Sequence, residues 1–405
     1  MPVGETTRIE TLFETEATEV LASIKRVLND IFATLGVRRP VELQRLLGID
    51  STLSWQLFKS VDDRRALTAG ALVPARVSVE KFARAAEKNG VRPDQLAALN
   101  EVYEAFERLV ERHAGDRATF NTLMTGIAGL TDEWRAADLQ HRRNMFRGQS
   151  HVMGVQAQTR LSCMIIAPSK RGGQSRFEVA NITSLLNIRT LRQLDRISVH
   201  NARAHSADSV KSNVIERSRI DLPGDGFLLQ DFSTNSHNQL EIETGELYGS
   251  KWVSTSLVRP EIGNVGVTTL SFGEYYLLRE PFEFYTQTKA MPIEVALHDV
   301  LLPPGLITGT PELDVYLGDD RPLSGAPDYV PLVGDYQITR LGKGADVLAT
   351  PDLPRYAEMA RAVAGSIDVD LSEHEVWRVR IEYPVYQSTS RIKWKLKEST
   401  PKSEG

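Results

Sequence analysis

Eight side chains between residues 38 and 59 have the types and spacing to contact a nucleic-acid duplex: Arg38, Arg39, Arg45, Ser51, Thr52, Trp55, Gln56 and Lys59. Serine, threonine and glutamine can hydrogen-bond base edges, lysine can reach a phosphate or a guanine, and arginines can grip the backbone. Such contacts need a frame, and the surrounding residues predict one. In PVELQRLLGIDSTLSWQLFKSV, residues 40–61, Pro40 suits the first position of a helix, where its missing N–H would be unpaired anyway. Gly48 sits where a left-handed residue closes that helix, and Ile49 can fold back onto Leu46 or Leu47. Asp50 can then accept the unpaired N–H groups of a second helix. Leu53, Leu57 and Val61, with Phe58 beside them, make the inward face of that helix. Ser51, Thr52, Trp55, Gln56 and Lys59 are left facing outward.

This arrangement resembles the helix-turn-helix of bacterial transcriptional regulators, with RLLGIDSTLSWQLF matching their leucine–glycine–isoleucine–serine turn. The resemblance covers about 22 residues. It departs from the family pattern in two places: Gln44 stands where a small residue is usual, and the second helix is one residue short. The resemblance implies that the second helix enters the DNA major groove. An ordinary helical hairpin inside a bundle is the bland alternative. A second stretch, ARAAEKNGVRPDQLAAL (residues 83–99), fits the same template in part through Ala86, Gly90, Val91, Leu96 and Leu99. Asn89 occupies a normally apolar position there, and a bundle hairpin is the expectation.

The elements that must hold these residues divide into two groups. With 405 residues the chain has room for two or three domains. Ile9, Leu12, Phe13, Ala17, Val20, Leu21, Ile24, Val27, Leu28, Ile31, Phe32 and Leu35 recur every three or four positions. They predict one helix of about 27 residues. Its stripe either buries against later helices or forms the seam of a homo-oligomer. Helices follow at 78–88 and 93–113, the latter closed by Gly115. Asp116 and Thr131 look like N-caps of two more, the last ending at Arg142, Arg143 and Arg147. Residues 1–147 are therefore expected to form a helical domain.

Near residue 150 the period changes from 3.6 to 2. Val155, Ala157, Thr159, Leu161, Cys163 and Ile165 alternate with Gln156, Gln158, Arg160 and Ser162, which predicts a half-buried strand. Strands are also expected at 240–243, 251–258, 282–286, 377–383 and 391–397, and helical interruptions at 179–194 and 353–364. The fold class is α+β. A β-rich domain over 150–398, built as an antiparallel sheet, sandwich or barrel, follows the helices, and 399–405 form a disordered tail.

Composition narrows the function classes. Apolar residues at 41% and charged residues at 25% are those of an ordinary globular protein. The net charge of −5 excludes a wholly basic nucleic-acid coat. Residues 20–65 nonetheless hold eight basic and five acidic side chains, a local charge of +3. A lone cysteine, Cys163, leaves no partner for an intrachain disulfide and suits a reducing compartment. No apolar run of 18 residues is present, and MPVGETTRIE lacks the pattern of a secretory leader, so a cytoplasmic protein with no membrane partner is expected.

Catalytic signals are weak. His200, His205 and Asp208 lack a third ligand at metal spacing and read as surface polar residues. No Walker loop, GxSxG elbow, HExxH or CxxC occurs. Asp225, Asp231, Asp314, Asp319 and Asp320 lie in Gly/Pro-rich turns, where aspartate has a turn role. Cys163, inside an apolar strand, reads as a core residue. Arg391, Lys393, Lys395 and Lys397 share one face of the final strand, as expected of an edge guarded against pairing. The leading expectation is a homodimeric regulator of transcription that binds double-stranded DNA. It uses no cofactor, and its C-terminal domain senses an unidentified small-molecule or protein effector or mediates assembly. A non-enzymatic assembly protein is the first alternative, and an enzyme with a site built from distant loops is the second.

Overall fold

Three- and four-residue spacing of apolar side chains winds the first part of the chain into helices, and alternation then turns it into strands. The computed structural model describes residues 12–61, 69–127, 132–169, 177–204, 219–221, 226–234, 239–247, 250–278, 282–288, 290–319 and 328–397. It forms two compact units, Met1–Trp134 and Arg135–Gly405. The first contains α1 (Leu12–Leu35), α2 (Pro40–Leu47), α3 (Ser51–Lys59), α4 (Ala69–Leu72), α5 (Arg76–Lys88), α6 (Pro93–His113) and α7 (Arg117–Ile127). Leu28 and Ile31 of α1, Leu43 of α2, Leu57 of α3, Phe82 of α5, Leu99 of α6 and Phe120 of α7 belong to one core cluster. The apolar stripe of α1 is largely consumed here, because Ile24, Leu28 and Ile31 are fully buried. Asp116 caps α7 as expected, accepting the Thr119 N–H at 2.9 Å, and that bond holds its carboxyl below the usual carboxylate range. Ile9 and Thr131 lie outside the described residues.

α8 (Asp132–Met153) belongs to the second unit from Arg135 onward. The unit boundary therefore falls at 134/135 rather than 147, and the helix continues past Arg147. It stops at Gly154, whose φ of +72° is open to glycine and whose N–H reaches the Ser150 carbonyl at 2.9 Å. The strands are β1 (Val155–Pro168), β2 (Phe177–Thr190), β3 (Arg196–Ala204), β4 (Arg219–Asp221), β5 (Gly226–Leu229), β6 (Leu240–Leu247), β7 (Ser250–Val258), β8 (Thr268–Leu278), β9 (Glu283–Gln287), β10 (Ile293–Leu302), β11 (Ile307–Asp319), β12 (Asp328–Pro331), β13 (Ile338–Lys343), β14 (Glu375–Glu382) and β15 (Ser388–Leu396). One further helix, α9 (Tyr356–Gly365), lies between β13 and β14.

Among the described residues these strands make three sheets. The largest runs β13-β14-β10-β1-β2-β8-β5-β4, the second β12-β11-β15-β9, and the third β3-β7-β6. The fold class is the α+β expected. The large sheet is mixed rather than purely antiparallel, because β1 and β10 pair in parallel, with Ser162 opposite His298.

Three local expectations need correction. Residues 179–194 are mostly strand β2, not helix. Val179, Ile182, Leu185 and Leu186 mimic helical spacing because β2 is buried on both faces, and Asn187 interrupts its alternation at φ 52°. β1 is half-buried only at its start, since Leu161–Ala167 are buried on both sides. The lysine-bearing β15 is no edge: β11 and β9 flank it, and Arg391 and Lys393 both reach Asp314 of β11 at 2.7 and 2.8 Å.

The two-sided burial of β1 has a simple cause. On one face, Leu161, Cys163 and Ile165 pack under α9 through Tyr356, Met359 and Val363. On the other, Met164, Ile166 and Val300 meet Phe284, Ile392 and Trp394 of the second sheet. Leu185, Leu270 and Phe272 meet Ile197, Val199 and Leu257 of the third. A buried ion pair locks α9 in place: Arg378 donates to Asp299 at 2.7–3.1 Å and to the Leu348 carbonyl at 3.0 Å, while the Tyr356 hydroxyl donates to Asp299 at 2.9 Å.

Candidate nucleic-acid interface and a buried polar seam

The geometry of residues 38–60 follows from local capping. Glu42 accepts the backbone N–H groups of Arg38 and Arg39 at 2.7 and 3.1 Å, satisfying donors at the entrance of α2. Gly48, at φ 63°, closes α2 by donating its N–H to the Gln44 carbonyl at 2.9 Å. Asp50 then caps α3 by accepting the Leu53 N–H at 2.7 Å. At the far end Ser60 donates to the Leu57 carbonyl at 2.8 Å. The Phe58 ring stacks on Phe32 of α1, centroids 4.5 Å apart, so the turn is braced from a third helix.

Leu53, Ser54 and Leu57 are buried on the inner face of α3. Ser51, Thr52 and Trp55 are exposed, and Gln56 and Lys59 are half-buried. At about 100° per residue these five span an arc of roughly 140°. Arg38, Arg39 and Arg45 are all exposed beside it. All eight sequence-selected residues thus lie within the same capped helix pair or its entrance. Sequence reading missed two supports of this pair, Glu42 and the Phe32–Phe58 stack. Glutamate three residues after a helix start is a recognisable capping signal; the stack, being tertiary, gives none.

The second partial match is differently made. Gly90 has φ +90° and Val91 is buried, so the turn forms. The Gln95 side chain, however, turns inward and donates to the Asp30 carboxylate at 2.6 Å. Exposed Asp94, Glu101, Glu107 and Glu111 lie along α6 with exposed Arg108 and Arg112 among them, and Asp94 and Glu107 pair with Arg92 and Arg76 at 3.0 and 3.1 Å. The basic cluster within α8 also separates: Arg142 is buried and bonded to Asp138 at 2.6 Å and to the Tyr336 hydroxyl at 2.5 Å, while Arg143 and Arg147 are exposed.

Among the other sequence candidates, His205, Asp208, Asp225 and Asp320 lie outside the described residues. His200 is buried rather than on the surface, stacked on Phe272 at 4.5 Å. Burial pushes the Cys163 thiol far above its ordinary range, as fits a core residue.

The second and third sheets both cover the face of the large sheet that carries Arg160, Ser162, Asn181, Thr183, Glu274 and His298, and they reach it from two sides. From the second sheet, Thr286 meets Ser162 at 2.7 Å and Ser390 meets Nδ1 of His298 at 2.6 Å. From the third, Nε2 of His200 lies 3.1 Å from Glu274, off the line of a good hydrogen bond. Between them the registers set His298, Ser162, Thr183 and Phe272 side by side, about 14 Å across three strand spacings. Burial lowers the His298 pKa to about 3, with Arg160 adding to the shift, so the imidazole is neutral. Burial also lowers Arg160 to about 10, which still leaves it charged near neutrality.

No helix among the described residues is long and apolar enough to cross a membrane. Neither the models of known protein families nor the curated proteins compared with this chain give a match.

Proposed function

We propose that the chain is a cytoplasmic, dimeric DNA-binding regulator in which α3 reads the major groove and the β-rich unit senses an effector or mediates assembly. One observation carries the reading. Ser51, Thr52, Trp55, Gln56 and Lys59 share the outer arc of a helix whose inner face is locked by Leu53 and Leu57, with three arginines exposed beside it. Arg38, Arg39, Arg45 and Lys59 supply the phosphate contacts, and Ser51, Thr52 and Gln56 the base-edge contacts. Val20, Val27 and Leu35 on α1 pack against the helical core, and a second copy would have to cover the part of their surface that stays exposed.

The decisive experiment is a titration of the protein with duplex DNA across a salt series. Four phosphate contacts should give a log–log slope of about −3.6. Replacing Arg38, Arg39 and Arg45 by alanine should remove most of that slope while the protein stays folded. A wild-type protein with no salt-dependent affinity for any duplex ends the reading. The assembly reading then takes its place, favoured by the apolar Val41, Leu46 and Trp55, which are 52%, 43% and 44% exposed on the same helix pair.

A further inference from the structure

We propose that Arg160 and His298, with Ser162 beside them on β1, bind a small oxyanion: a carboxylate or phosphate group carried by a ligand. The site lies in the seam between the two covering sheets and stands whether or not residues 38–59 touch DNA.

Arg160 is half-buried with its Nε sealed from solvent, and among the described residues it forms neither a hydrogen bond nor an ion pair. Three carboxylates share its face of the sheet, and none pairs with it; Glu375 of β14 bonds Arg340 at 2.8 Å instead. Glu274 sits against His200. Glu294 falls opposite Gln158 by the register of β1 and β10. The neighbouring His298 is 1% exposed, keeps its Nε2 without a partner and is held by Ser390 through Nδ1. We assign Ser390 as the donor to Nδ1, the tautomer that leaves the proton on Nε2 as a donor. The Arg160 guanidinium and the His298 imidazole, diagonal neighbours on adjacent strands, then share one face, and the Ser162 hydroxyl, bonded to Thr286 at 2.7 Å, stands beside them on β1. Water or a hydroxyl could complete the imidazole, whereas a guanidinium with a sealed Nε and no carboxylate beside it favours a negative charge. The charge of Arg160 therefore selects an anion, and the planar fork of its N–H groups matches two oxygens of one carboxylate or phosphate.

The test is calorimetric titration of the full chain, without DNA, using inorganic phosphate in one series and acetate in the other at constant ionic strength. Saturable binding of at least one anion is expected, at one site per chain. Arg160→Gln should weaken it at least tenfold, and exposed Lys395→Gln should leave it unchanged. The stronger of the two anions identifies the ligand group. Binding of neither anion, or equal binding by Arg160→Gln, overturns the site. Should Arg160→Gln fail to fold, the Arg160 Nε–H and His298 Nε2 resonances of the wild-type protein decide. They must move on addition of phosphate or acetate, and resonances that stay still overturn the proposal.

Discussion

The helical unit turns its polar chemistry outward, whereas the β-rich unit encloses it. On α3, hydroxyls, an amide and an ammonium stand on one accessible arc, and Leu53 and Leu57 hold the other side. In the β-rich unit Asp299, Arg378 and His298 are buried, at 0%, 8% and 1% exposure. The two arrangements obey different energetics. Exposed charges are screened by salt and act nearly independently, each contributing at most about 1 kcal/mol to stability. Buried charges have exchanged water for named partners, so removing one strands the other. A substitution on the outer arc of α3 should therefore alter DNA binding and spare the fold, while one in the buried Asp299–Arg378 pair should do the reverse.

The largest effect is expected at the ion pair beneath α9. Asp299→Ala leaves Arg378 buried without its carboxylate and should cost about 3–5 kcal/mol in urea unfolding. A loss below about 1 kcal/mol would show that water reaches Arg378 and would erase the contrast between the units. Within the helical unit, Leu57→Ala should cost about 2–5 kcal/mol, because the side chain is fully buried between α3 and the core. That loss should appear as a lower urea midpoint with little change in slope.

Acid should act through the enclosed histidine. Its folded pKa of about 3 lies below the ordinary 6.5, so the unfolded chain takes up a proton that the folded chain refuses. Stability should fall as pH drops from about 6.5 towards 3, with His298 contributing at most about 1.4 kcal/mol per pH unit. Asp314, held below the usual range by Lys393 and Arg391 despite its burial, adds to the loss at the acid end. His298→Gln should flatten the pH dependence of the urea midpoint by about one proton between pH 6 and 4. An unchanged profile would place that histidine in contact with water. The smallest effect is expected on the outer arc: Gln56→Ala and Lys59→Ala should each change stability by less than about 0.5 kcal/mol. Lys59→Ala should also lower the salt slope of DNA binding by about one unit.

How far the sequence could be read follows the same division. The start, turn and cap of the α2–α3 pair were legible because Pro40, Gly48 and Asp50 act on neighbours within four residues, and the structure places each in its expected role. The strands were legible only where one face meets solvent. β2 lost its alternation to burial on both faces and took on the spacing of a helix. β15 looked like a guarded edge because nothing local announces that β9 and β11 flank it. Arg160 and His298 were illegible as a pair, since only the pairing of β1 with β10 brings them together. One signal was available: Met164–Ala167 is apolar at every position, so both faces of β1 are covered. Ser162, just before it, therefore faces a layer rather than water, and Arg160 lies at the margin of that layer.

The parallel pairing of β1 with β10 also fixes an order of assembly in time. β1 and β2 meet across a short connection, but the other side of β1 has no neighbour until residues 293–302 have been made. At about 5–20 residues per second, that delay is on the order of ten seconds. Throughout it, the apolar residues Leu161–Ala167 form an open strand edge that must be kept from pairing with other chains. The helical unit is complete by then, because all of its residues precede β1. The seam comes last, because Ser390 reaches His298 only once β15 has been added to the sheet above it.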